Sequence, residues 1–172
     1  MCSNNSKDDI LKLCASLSSK YKKPQRLIEN PILREDEYAA VKALEISYIT
    51  DIDISSISPP VCLIWEELIH DAKKHFLVAV IWNFLSKKEI GSICLDFFLE
   101  VMSVERNPDL FWNTWEKMPS DIIRLTLDWI DYYQKEALPN DRLDMDIDAL
   151  QKAKSSLHKL YLGEISRAII CL

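Results

Sequence analysis

The most apolar stretch of the chain is Phe76 to Leu85, Phe-Leu-Val-Ala-Val-Ile-Trp-Asn-Phe-Leu, in which Asn83 is the only polar residue. It falls well short of the about 20 apolar residues that cross a bilayer. Apolar on every face, it predicts the central buried element of a globular domain. Around it, apolar positions recur at helical spacing. Ile10, Leu13, Cys14, Leu17 and Tyr21 predict a first helix over residues 7–21. Ser6 and Asp9 make a variant capping box at its start, and Pro24 closes it. Tyr38, Ala40, Val41, Leu44 and Tyr48 predict a second helix over 35–49, with Glu35, Asp36 and Glu37 favourably placed at its positive end. The Thr50–Ser58 stretch alternates like a strand but has no strand to pair with, so it reads as a loop.

Ser58-Pro59 is a helix start, with Ser as N-cap and Pro in the first turn. Val61, Ile64, Trp65, Leu68, Ile69 and Ala72 follow, leading into Phe76–Leu85 as one helix from Pro59 to Leu85 or as two with a break near Asp71, which the polar Asp71–His75 segment favours. Ser86-Lys-Lys-Glu89 is a full capping box opening a helix that ends near Ser103. Asn107-Pro108 starts a short helix to about Lys117, and another spans 121–137. On it Tyr132 and Tyr133 are adjacent and cannot both face inward. A last helix begins near Asp146, with Gly163 at or near its end, and the apolar tail Ala168–Leu172 is expected to dock on the core. The sum is an all-α chain of seven or eight helices, an irregular antiparallel bundle or HEAT-like stack of hairpins, in one domain over 1–172 with a flexible N-terminus over 1–6. The tryptophans follow no fixed period, so a regular TPR or HEAT array is not indicated.

Composition sharpens this. Of 172 residues only two are glycine, Gly91 and Gly163. Hairpin turns and phosphate-binding loops need glycine, so sheet folds and nucleotide-binding α/β folds are disfavoured. The net charge of −6 argues against a nucleic-acid binder, which carries a basic face, and suits a basic protein partner. Residues 1–58 hold 8 basic and 9 acidic groups, 59–118 hold 6 and 9, and 119–172 hold 7 and 9, so the charge is spread evenly along the chain. The five cysteines are widely spaced with no CxxC, which reads as free thiols in a reducing compartment. Met1–Ser6 has no apolar run of a signal peptide, and a cytoplasmic location is expected.

Candidate chemistry is sparse. Glu67-Leu-Ile-His70 has the Glu-x-x-His spacing of carboxylate-bridged di-iron bundles, but those need it twice. His70 and His75 are five apart, off the spacing that puts two zinc ligands on one helix face. Asp144, Asp146 and Asp148 alternate like a calcium loop, but Ala149 and Ser155 stand where that loop requires Gly and Glu. No nucleophile motif or phosphate loop is present, so no enzyme, metal or cofactor is expected. What remains is charge and aromaticity. Asp141, Asp144, Asp146 and Asp148 cluster with only Arg142 among them, and Asp51 and Asp53 form a smaller acidic pair. Trp112 and Trp115 are candidate interface anchors.

In size, acidity, aromatic content and lack of a catalytic motif, the whole chain resembles the small acidic all-helical bacterial immunity proteins, such as those of contact-dependent growth inhibition. That resemblance implies a non-catalytic protein that binds a basic toxin domain, often a nuclease, and covers its active site or substrate surface. No nucleic-acid or membrane partner is expected. Its acidic face would be the Asp141–Asp148 cluster with Asp51 and Asp53. The alternative is a helical scaffold or adaptor that grips a peptide or helix in an apolar groove walled by residues 108–117.

Overall fold

The computed structural model describes residues 6–29, 34–45, 62, 64–86, 92–137 and 147–167. Among them the chain is all-helical and has no strand. The helices are α1 (Lys7–Lys20), α2 (Glu35–Glu45), α3 (His70–Ser86), α4 (Ser92–Val101), α5 (Pro108–Trp115), α6 (Ser120–Tyr132) and α7 (Ile147–Tyr161), with a π-helical turn, Tyr133–Ala137, prolonging α6. The all-α class is therefore as the sequence predicts. The strand-like Thr50–Ser58 segment, the Ser58-Pro59 start, the Ser86–Glu89 box beyond Ser86, the N-terminal five residues and the Ala168–Leu172 tail lie outside the described residues.

The chain folds as two compact units. One is continuous, Leu11–Cys94; the other is discontinuous, Met1–Ile10 with Leu95–Leu172.

In the continuous unit α3 is buried at twelve of its 17 residues, spread over its whole circumference. The one polar side chain in its apolar run is satisfied locally: Asn83 donates its side-chain amide to the Ala79 carbonyl at 2.8 Å. The break before α3 falls at residues 65–69, earlier than the polar Asp71–His75 segment suggests. Its cause is pairing. Leu68 bridges Ile28 in an isolated antiparallel contact, and the Ile69 amide donates to the Leu27 carbonyl at 2.8 Å. Backbone groups that leave a helix inside a protein need partners, and the 27–28 segment supplies them.

In the discontinuous unit the caps follow the sequence closely. Ser6 donates its amide and hydroxyl to the Asp9 carboxylate, at 3.2 and 2.7 Å, and its hydroxyl accepts from the Asp9 amide at 3.3 Å. An aspartate thus closes the box that usually takes glutamate. Asn107 accepts from the Leu110 amide at 3.1 Å with Pro108 in the first turn of α5. α7 ends in a Schellman motif: Glu164 donates to the Lys159 carbonyl at 2.8 Å and Gly163 to that of Leu160 at 3.0 Å, with Gly163 at φ +72°. α7 packs against α6. Its Ser156 hydroxyl accepts from the Val104 amide at 3.1 Å, which anchors the turn between α4 and α5. Trp115 donates its indole N–H to the Val101 carbonyl at 2.7 Å, satisfying the end of α4 from inside the core. Tyr133 is buried and Tyr132 half-buried, so only one of the adjacent pair is fully inside.

Candidate functional site

The two units differ in charge far more than the sequence order suggests. Leu11–Cys94 holds 11 basic and 11 acidic residues and is neutral; the discontinuous unit holds 10 basic and 16 acidic residues, which is the entire net −6. Residues 95–172 alone hold 9 basic and 14 acidic groups, and a division of the chain at 58 and 118 hides this because its middle part straddles the boundary at Cys94.

Several of its carboxylates are engaged. Asp131 pairs with Lys154 at 2.5 Å, Glu116 with Arg167 at 3.4 Å, and buried Asp128 faces Arg124 at 4.0 Å. Others are not. Asp96, Glu105, Asp109 and Glu164 are exposed, Glu100 is half-buried, and none of them forms an ion pair among the described residues. Four of these five fall in the α4–α5 region. Asp96 and Glu100 are one turn apart on α4, Glu105 sits in the connecting turn and Asp109 in the first turn of α5. Like charges one turn apart repel, a modest cost that a cationic partner would relieve. This acidic corner escaped sequence reasoning, although its signal was visible: Asp96, Glu100, Glu105 and Asp109 follow closely, with Arg106 the only base between the first and the last.

Of the acids singled out from sequence, Asp148 is exposed in the first turn of α7 and bridged to Lys152 at 2.5 Å. Asp141, Asp144, Asp146, Asp51 and Asp53 lie outside the described residues. Trp112 and Trp115 are buried, at 5% and 1% exposure, so neither ring is offered to a partner. With Leu110 and Phe111 they turn α5 inward, so the wall of the expected 108–117 groove is core. The two rings at 111 and 112 meet edge-to-face at 5.1 Å between centroids. Among the described residues the exposed aromatic ones are instead Tyr38, at 56%, and Tyr161, at 43%.

Tyr38 lines a half-open cleft of about 280 Å³ in the continuous unit. The apolar lining is Leu27, Ile28 and Val41; Arg26, Glu29, Lys42 and Glu45 also border it. Lys42 pairs with Glu45 at 2.7 Å, and its ammonium lies 5.6 Å from the Tyr38 ring centre. Arg26 folds back on its own turn, donating to the Ile28 carbonyl at 2.7 Å and to that of Glu29.

Three buried titratable groups lie in the same unit. Lys73, 2% exposed in the first turn of α3, donates to the Glu66 carbonyl at 3.4 Å, and burial pushes its ammonium down to about 8 despite Glu66 and Glu67 nearby. His75, 5% exposed, hydrogen-bonds the Tyr21 carbonyl through Nδ1 at 3.0 Å, which makes Nδ1 the protonated nitrogen. Its Nε2 is buried with no hydrogen-bond partner among the described residues. Burial lowers its affinity for a second proton, the Tyr21 carbonyl opposes this, and Lys23 adds repulsion. Lys23 itself donates to the Leu44 carbonyl at 3.3 Å and to that of Glu45, closing the C-terminus of α2. Burial pushes the Cys14 thiol up to about 12, which keeps it protonated and unreactive at neutral pH.

The Glu67–His70 spacing does not lie on one helix, because Glu67 sits in the turn before α3. Among the described residues no group of three or more His, Cys, Asp or Glu side chains is placed to hold a metal ion. No helix of the described residues is long and apolar enough to cross a membrane. Compared with protein-family models, curated proteins and solved structures, the chain gave no match.

Proposed function

We propose that this chain is a non-catalytic protein-binding module whose acidic unit docks on a basic partner. In its sharpest form the partner is a cytoplasmic toxin domain that the chain neutralises, as immunity proteins do. The observation that carries the reading is the confinement of the whole −6 to one unit, whose α4–α5 corner presents exposed carboxylates with no ion pair among the described residues. An acidic face speeds encounter with a basic protein and competes with nucleic acid for the same cationic surface.

The test is capture of partners from the protein's own cell extract at low and high salt, with mass-spectrometric identification, using wild type and the triple variant D96K/E105K/D109K. The reading expects one stoichiometric basic partner that is held at low salt, weakened by added salt and lost in the variant. All three residues are exposed, so circular dichroism of the variant should match wild type. Capture that ignores both salt and the charge reversal would reject the acidic corner as the interface. Added to the captured partner in an activity assay, the protein should abolish that activity if the partner is a toxin.

A further inference from the structure

The cleft beside Tyr38 belongs to the neutral unit, and the charge argument above does not use it. Its floor is fixed by backbone pairing: Leu27 accepts from the Ile69 amide at 2.8 Å, and Ile28 bridges Leu68. A floor held this way is preorganised, so little ordering is needed when something binds. At about 280 Å³ the cleft is just below the about 300–1,000 Å³ of small-molecule sites, ample room for one large side chain.

The charges around it decide what kind of side chain. Among the described lining residues Arg26 and Lys42 are balanced by Glu29 and Glu45, giving a net of zero. Lys42 and Glu45 satisfy each other, and Arg26 is spent on two carbonyls of its own turn. A charged occupant would lose its hydration without a net opposite charge to replace it. An uncharged ring would cover Leu27, Ile28 and Val41 and could pack edge or face against the exposed Tyr38 ring.

We infer that the cleft between residues 25–29 and α2 is a docking pocket for a single aromatic side chain projected by a protein partner, with Tyr38 as its stacking wall. The inference stands on the cleft alone and holds or fails independently of the acidic corner.

The experiment is an NMR titration of the isotope-labelled full chain with N-acetyl-phenylalanine amide, and separately with the arginine and glutamate amides. Saturable shifts are expected at the backbone amides of Leu27, Ile28, Val41 and Lys42 with the phenylalanine probe and not with the charged ones. Tyr38→Ala should weaken the phenylalanine probe roughly threefold or more, and Tyr38→Phe, which keeps the ring, should retain it. Tyr38 is exposed, so both variants should keep the wild-type spectrum elsewhere. Absence of saturable shifts up to the solubility limit overturns the inference. So does equal or stronger binding of a charged probe, or indifference to Tyr38→Ala.

Discussion

Replacing Lys73 by methionine should make the protein more stable. The ammonium is 2% exposed at the positive end of α3, and burial brings its pKa from 10.5 to about 8. That difference means the folded state disfavours the cation by about 3 kcal/mol relative to the unfolded chain. Methionine has nearly the same length and no charge to desolvate. It forfeits the ammonium's polar contacts, among them the long 3.4 Å bond to the Glu66 carbonyl, together worth about 1 kcal/mol. The net gain at pH 7 is about 2 kcal/mol, or about 4–8 °C in Tm for a protein of this size. The sign reverses the usual expectation that removing a buried, bonded polar group destabilises. It also carries a pH signature. Between about pH 8 and 10.5 the unfolded chain still holds a proton that the folded lysine has released, so wild-type stability rises with pH through that window. The advantage of Lys73→Met should therefore shrink from about 2 kcal/mol at pH 7 to near zero by about pH 10. Urea unfolding of both proteins across this range tests it. A variant less stable than wild type at pH 7, or a gain that does not change with pH, would refute the reasoning.

Three further outcomes follow from the geometry. His75 is held neutral in the fold with a depressed pKa, so its contribution to stability is full above about pH 6.5 and lost as the pH falls below it; wild type should lose stability relative to His75→Gln as the pH falls below about 6.5, and a flat or opposite difference in urea midpoints would count against it. Trp115→Phe leaves the Val101 carbonyl without its donor inside the core and should cost about 1–3 kcal/mol by equilibrium unfolding, with no change expected only if water reaches that carbonyl. Gly163→Ala places a Cβ in open space but on a left-handed backbone, so it should cost about 1 kcal/mol by the same measurement, and a neutral result would show that the α7 cap yields.

What the sequence revealed and what it hid divide along a physical line. Signals local to one helix were legible: the Ser6–Asp9 box, the Asn107-Pro108 start and the burial of all but Trp82 in Phe76–Leu85 each depend on residues a few positions apart. The break before α3 was legible as an event but misplaced, because its position is decided by Leu27 and Ile28, on a segment that precedes even α2. Trp112 and Trp115 looked available because spacing cannot say which face of a short helix is covered; the indole bond to Val101 settles that for Trp115. Tyr38 occupied a helical apolar position yet is more than half exposed, beside Lys42 and a cleft whose floor comes from another segment. The charge asymmetry was invisible for a different reason. The boundary at Cys94 follows from packing and not from any turn signal, so a charge sum taken across it blends the neutral stretch with the acidic one.

That interleaving also sets a timetable. A ribosome finishes Leu11–Cys94 before it makes Leu95, and it makes α7, against which α6 closes, later still. Compact units tend to fold as their sequence emerges, so the neutral unit is able to form on the nascent chain while the acidic one must wait for α7. On the reading proposed above, the surface that would meet a partner is thus completed in one late step, once that helix has been made. Premature termination before residue 147 would release a chain whose Leu11–Cys94 unit is fully made and whose α6 lacks the helix it packs against.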